Sequence, residues 1–201
     1  MASYHHGDLR QVLLEATMGL VRERGVDGFT LREVARRAGV SHNAPYHHFR
    51  DRSALVAAVV IQGFEDLLRA MERAAARARG GPLATVRALG LAYVRFARED
   101  PERFKLLWRP ELREGAGDEV EQAGEASYQP LFRALERARD AGEVSTGPPV
   151  EEQALAAWSM VHGLAMLLVD GPLRDDVVGS READRLTKGV LDTLVSGLAG
   201  R

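Results

Sequence analysis

Apolar residues recur every three or four positions along nearly the whole of this chain, and an alternating apolar pattern persists nowhere. The first spacing lays a stripe down one side of a helix; the second would mark a strand. The expected architecture is therefore all-α, with about nine helices. Leu9, Leu13, Ala16 and Leu20 form the first stripe, and Gly25 and Gly28 end it. In FTLREVARRAG, residues 29–39, Thr30 can cap a helix of about two turns and Glu33 completes a capping box. Phe29 and Val34 occupy staple positions, and Gly39 suits a left-handed C-terminal cap. Ser41 is expected to cap a short third helix. Asp51 is expected to cap a fourth that runs to about Arg79, where RGGP stops it. Later helices are expected over 83–98, 101–108, 118–140, 150–169 and 181–198. Pro130 should kink or divide the third of these, and residues 141–149 should form a loop.

Composition narrows the function classes. The chain contains no cysteine, which removes disulfides and thiolate metal sites. No apolar run approaches the ~20 residues that span a bilayer. MASYHHGDLR at the start lacks the apolar core of a signal peptide, so a cytoplasmic location is expected. Three of the six histidines fall in GVSHNAPYHHF, residues 39–49. His42 lies five and six residues from His47 and His48, spacings that do not stack imidazoles on one helix face, so no metal site is expected. Residues 1–50 carry seven arginines against five acids, and five of the histidines; the remainder carries 20 basic against 24 acidic residues. That asymmetry hints at a polyanionic partner for the first part. No Gly-rich phosphate loop, nucleophile elbow or metal-ligand pair at helical spacing is present. An enzyme therefore has no support, and no cofactor is implied.

Two short helices joined by a tight glycine-containing turn form the helix-turn-helix pattern, in which the first helix braces and the second enters the major groove. Helical hairpins are common, so the pattern alone leaves a purely structural hairpin open. The residues add more. FTLREVARRAGVSHNAPYHHFRDRSALV resembles the DNA-binding signature of the TetR family of transcriptional regulators, through Thr30, Ala35, AGVS, Tyr46, Phe49 and a basic residue at 52 before an apolar helix. YHHGDLRQVLLEAT resembles the first helix of many members. AAWSMVHGLAMLLVDG resembles the Trp and His-Gly signature of one subgroup's C-terminal regulatory domain. The resemblance implies a three-helix DNA-binding domain over 1–52, with its helix-turn-helix at about 30–49, and a ligand-binding and dimerisation domain over 53–201.

Each position in the signature has a chemical role to offer. Thr30 and Ser41 are caps whose helix N-termini can present N–H groups to a phosphate. Tyr46 offers a hydroxyl and Arg52 a positive charge to phosphates, contacts that hold register without reading sequence. Packing of Tyr46 in the small core is the alternative. His42 and Asn43 lie where groove-facing residues belong, and asparagine can bond an adenine edge twice. Plain solvated surface is the alternative for both. Of His47 and His48, one is expected to face DNA and the other to pack; His47 is taken as the DNA-facing one, and Phe49 as core. Pro45 stands where the family more usually has a large apolar residue. Its missing N–H, and its bias on Ala44, predict a third helix that begins loosely and firms up from Pro45 onward.

The resemblance further implies a homodimer through the last two helices, which would present two reading heads to a palindromic operator. It also implies a small, mainly apolar effector held between helices. Phe96, Phe104, Trp108, Tyr128, Trp158, His162 and Met166 are candidates to line that pocket, with ordinary core packing as the alternative for each. His162, if buried, needs a polar partner. Leu186, Val190, Leu191, Leu194 and Leu198 form the expected dimer stripe, and the helix over 150–169 is apolar on nearly all sides in its second half. The expected function is a ligand-responsive DNA-binding repressor. The alternatives are a TetR-like activator, or an all-helical small-molecule-binding or scaffold protein without a DNA role.

Overall fold

A computed structural model describes residues 6–113, 118–144 and 147–200. Tyr4 and His5, and residues 145 and 146 of the expected loop, lie outside the described residues. In chain order the helices are α1 His6–Arg24, α2 Leu31–Arg37, a 3-10 turn Ala44–His47, α3 Arg52–Arg77, α4 Pro82–Glu99 and α5 Pro101–Leu107. There follow α6 Pro110–Arg113, α7 Asp118–Asp140, α8 Val150–Val169, α9 Asp175–Val178 and α10 Ser180–Leu198. No strand occurs among the described residues. α6 and α9, one turn each, are too short for apolar periodicity to reveal. Pro130 lies inside α7 without dividing it.

The chain forms two compact units, and α3 runs through the division between them. One unit runs up to Phe64 and adds Glu102–Gly124; the other takes Glu65–Pro101 and Glu125–Arg201.

In the first unit, α1 buries Leu13, Leu14, Ala16, Met18, Leu20 and Val21. Thr17 is buried too, and its hydroxyl donates to the Leu13 carbonyl at 2.8 Å, so no donor is orphaned. α2 starts at the expected capping box. Thr30 Oγ1 accepts from the Glu33 N–H at 3.3 Å, and Glu33 Oε2 accepts from the Thr30 N–H at 2.8 Å. It stops where Gly39, at φ 70°, turns the chain into the left-handed region. The α-helix expected from Ser41 does not form. Asn43, not Ser41, holds the N-cap position of the 3-10 turn, without a side-chain cap bond. Pro45 supplies a reason: it has no N–H to donate to the Ser41 carbonyl, so the first α-type bond of such a helix cannot form. The turn closes by i→i+3 bonds instead, Tyr46 N–H to Asn43 O at 3.1 Å and His48 N–H to Pro45 O at 3.0 Å. Asp51 caps α3 as expected, its Oδ1 accepting from the Ala54 N–H at 2.8 Å.

In the second unit, α4, α8 and α10 pack on one another. They meet most closely at Gly90, where a Cβ would overlap a Leu191 methyl and come within 3.5 Å of Val161 Cγ2. Arg98 ties α4 to α9 and α10 through Asp175 at 2.9 Å and Asp184 at 2.5 Å. α8 is long and apolar enough to cross a membrane by length and composition. Here it is a helix of this packed trio, with Val150, Ala154, Ala157, Val161, Leu164, Ala165 and Leu168 buried.

Candidate nucleic-acid interface

The segment 41–49, which contains the 3-10 turn, separates its residues into two sets. Ala44, Pro45 and Phe49 are buried, while Ser41, His42, Asn43, Tyr46 and His47 are exposed. Tyr46 is 51% exposed, so its ring is not a core residue and its hydroxyl is open to a partner. His48 is half-buried beside Phe49, the two ring centroids 6.2 Å apart. One short segment thus offers two imidazoles, an amide and a phenol on its outer side. The Pro45 ring is itself buried.

Thr30 is exposed at the start of α2, and its side chain is engaged by Glu33. Bonds from the Thr30 side chain and backbone, then from Arg24, hold the Glu33 carboxyl below the usual carboxylate range. Arg52 is placed differently from the expected free cation. Its guanidinium donates to the Val26 carbonyl, lies 3.3 Å from Asp27 Oδ1, and covers the Phe29 ring at 4.9 Å. The sequence reading missed Arg32 and Arg36, exposed one turn apart on α2 and without an ion pair to any described residue. It missed Arg50 as well, whose side chain is 84% exposed and touches Asp51 at 3.1 Å. The signal was present for the first two: arginines four apart on the polar face of a helix beside a turn. By contrast, Arg24 and Arg37 are held by Glu33 and Glu23 at 2.7 and 2.6 Å.

The seven aromatic and sulfur candidates divide between the units. Phe104 is fully buried and Trp108 half-buried in the first unit; Phe64 meets Trp108 edge-on at 5.5 Å. Phe96, Tyr128, Trp158, His162 and Met166 are half-buried in the second unit. Trp158 stacks on His162 at 5.0 Å, and Tyr93 Oη lies 2.9 Å from His162 Nδ1. Burial pushes the Tyr93 phenol up, opposed by a bond from Trp158, and burial holds the His162 imidazole below its ordinary value. Tyr93 is the polar partner that a buried His162 requires, and nothing in the spacing of residues 69 apart announced it.

The expected dimer stripe is largely consumed inside the protomer. Leu191, Leu194 and Leu198 are 0%, 6% and 8% exposed, with Leu191 against Gly90. Leu186 and Val190 are half-buried on the flank of α10. The large apolar side chains left open in this unit are Leu155, Met160 and Leu167 on α8, and Val177.

The fold and the outward polar turn define a helix-turn-helix transcriptional regulator with a helical second unit. Comparison with known proteins narrows this. The family model for bacterial regulatory proteins of the tetR family matches residues 13–59, and that for the tetracyclin repressor-like C-terminal domain matches residues 86–194. The HTH-type transcriptional regulator BetI of Cronobacter sakazakii is 31% identical over 170 residues, covering 81% of this chain and 76% of the relative. A Rhodococcus sp. RHA1 protein of unknown function has a similar structure, with TM-score 0.85 and 38% identity over 99% of this chain and 100% of that one. FadR of Bacillus subtilis, solved with stearoyl-CoA, shares the fold at TM-score 0.76 and 16% identity, over 93% and 98% of the two chains. The chain belongs to the TetR family of transcriptional regulators.

Proposed function

We propose that the protein is a homodimeric repressor that binds a palindromic operator and is released by a small, mainly apolar effector. The observation that carries the DNA-binding part is the set of exposed polar residues in the short segment 41–47, Ser41, His42, Asn43, Tyr46 and His47, beside a buried Ala44, Pro45 and Phe49. His42 and Asn43 read base edges; Tyr46, His47, Arg32 and Arg36 hold the phosphates. Thr30 and Arg52 act behind them, the first by capping α2 and the second by fixing the segment Val26–Phe29. Residues 1–52 carry this function, and 53–201 carry effector binding and dimerisation.

Dimerisation in this reading uses the open side of α8, Leu155, Met160 and Leu167, with Leu186 and Val190 of α10. Gly163, Gly189 and Gly197 have no neighbour within 4 Å of a Cβ position, so a second copy can approach both helices closely there. The effector binds among the aromatic residues of the regulatory part and shifts a two-state equilibrium through α3; a fold relative, FadR of Bacillus subtilis, was solved in complex with stearoyl-CoA. The test is operator selection from a random pool, followed by a salt titration of the selected site. Log affinity should fall linearly with log salt. A dimeric chain that binds no sequence at about 50 mM salt sinks the reading.

A further inference from the structure

We propose that the second unit carries an oxyanion-binding groove between the end of α3, the start of α4 and the middle of α7. Its ligand is a small amphiphilic anion with a carboxylate or phosphate head. The groove has a volume of about 440 Å³, within the range of small-molecule sites. Arg133 and Arg137 line it from α7, four residues apart. Such residues stand side by side on a helix, so two guanidinium groups can close on one head group from the same wall. Neither makes an ion pair with a described residue, whereas Arg69, Arg87, Arg95 and Arg98 of the same unit all do.

The other walls complete the selection. Thr85 brings a hydroxyl from α4, and Glu72 a single carboxylate from α3. Of the side chains that line the groove two are guanidinium groups and one a carboxylate, while the nearby Glu143 carboxylate is turned to the Leu83 N–H; the paired guanidinium groups favour an anion over a cation. Pro130 and Ala134 add apolar surface for the ligand's body. The N-terminus of α4 opens beside the groove but is already taken. Glu143 Oε2 accepts from the Leu83 N–H at 2.8 Å, an approach possible because Gly81 has no Cβ to obstruct it. The incoming head group therefore falls to the arginines and not to the helix end.

The consequence for operator release rests on the regulatory reading above; the existence of the site does not. The test is calorimetric titration of the full chain, without DNA, with octanoate and octyl phosphate, and with octanol and octyltrimethylammonium as controls. At least one of the two anions should bind one per chain, and both controls at least tenfold more weakly. The preferred anion tells a carboxylate from a phosphate ligand. Arg133→Gln with Arg137→Gln should weaken the anion at least tenfold. The urea midpoint should not move, since both side chains are exposed. Glu72→Gln should strengthen the anion severalfold by removing a like charge. Octanol binding as tightly as the anions, anion binding undiminished in the double variant, or no binding of either anion at millimolar concentration overturns the groove. Loss of operator binding in a separate assay refutes the regulator without touching these results.

Discussion

Replacing Leu155 by glutamate separates the two candidate dimer surfaces. A leucine side chain contributes about 1.5–3 kcal/mol when fully removed from water. Leu155 is 57% exposed in the protomer, so roughly half of that, about 0.8–1.7 kcal/mol, is left for an interface to gain. A two-fold interface uses the residue twice, giving about 1.7–3.4 kcal/mol per dimer. That is roughly a ten- to several-hundred-fold weaker dimer, before the cost of desolvating two carboxylates. Light scattering across a dilution series should therefore show Leu155→Glu as a folded monomer where the parent is a dimer. Its urea midpoint, extrapolated to the monomer, should be unchanged. Leu191→Ala should behave oppositely. Leu191 is fully buried against Gly90, so truncation should cost about 2–5 kcal/mol of stability with no selective effect on association. A Leu155→Glu dimer of undiminished affinity, or a Leu191→Ala chain that dissociates with its stability intact, refutes the assignment.

Four further outcomes are expected. Thr30→Ala removes the side-chain half of the α2 capping box, the Oγ1 that accepts from the Glu33 N–H, and keeps the Thr30 N–H bond to Glu33; it should lower stability by about 1 kcal/mol in urea unfolding, with weaker DNA binding, and an unchanged midpoint contradicts the role. Asn43→Ala should alter preference at one base pair in a selected sequence logo, and an unaltered logo removes Asn43 from the reading set. Arg52→Ala should lose on the order of 1–3 kcal/mol of stability, through the Val26 carbonyl and the Phe29 ring, and leave the salt slope of DNA binding nearly the same; a stable variant with a shallower slope restores the direct phosphate contact. His162 has its pKa depressed by burial, so the unfolded chain takes up its proton more readily. The stability this confers is present above about pH 6.5 and is lost as pH falls toward the folded value. The urea midpoint should therefore drop from pH 7 to pH 5, and drop less in His162→Asn; parallel profiles argue against it.

Features written within a few residues were legible before any coordinates. The Thr30–Glu33 box, the left turn at Gly39 and the Asp51 cap each involve groups no more than four positions apart, and all three are present. Pro45 was legible in part. Its missing N–H predicted a loose start, but the length of regular helix left over, a single 3-10 turn, depended on how Ala44, Pro45 and Phe49 seat in the core of the unit. The family signature pointed correctly to a TetR-type regulator, because the motif records caps, turn glycines and core positions that recur with the fold.

Contacts between distant segments were not legible. Arg52 reads as a free cation at the head of α3 until Val26 and Asp27 are brought beside it. His162 reads as a pocket residue or a core histidine in need of a polar partner, and that the partner is Tyr93, 2.9 Å from its ring, was not legible. The stripe on α10 shows the limit most plainly. Periodicity states that Leu191, Leu194 and Leu198 must leave water, but burial against α4 and burial against a second copy remove the same apolar area and write the same pattern. Within one chain the neighbouring helices bury Leu191, Leu194 and Leu198, and the large apolar side chains still exposed in this unit are Leu155, Met160 and Leu167 on α8 and Val177 on α9.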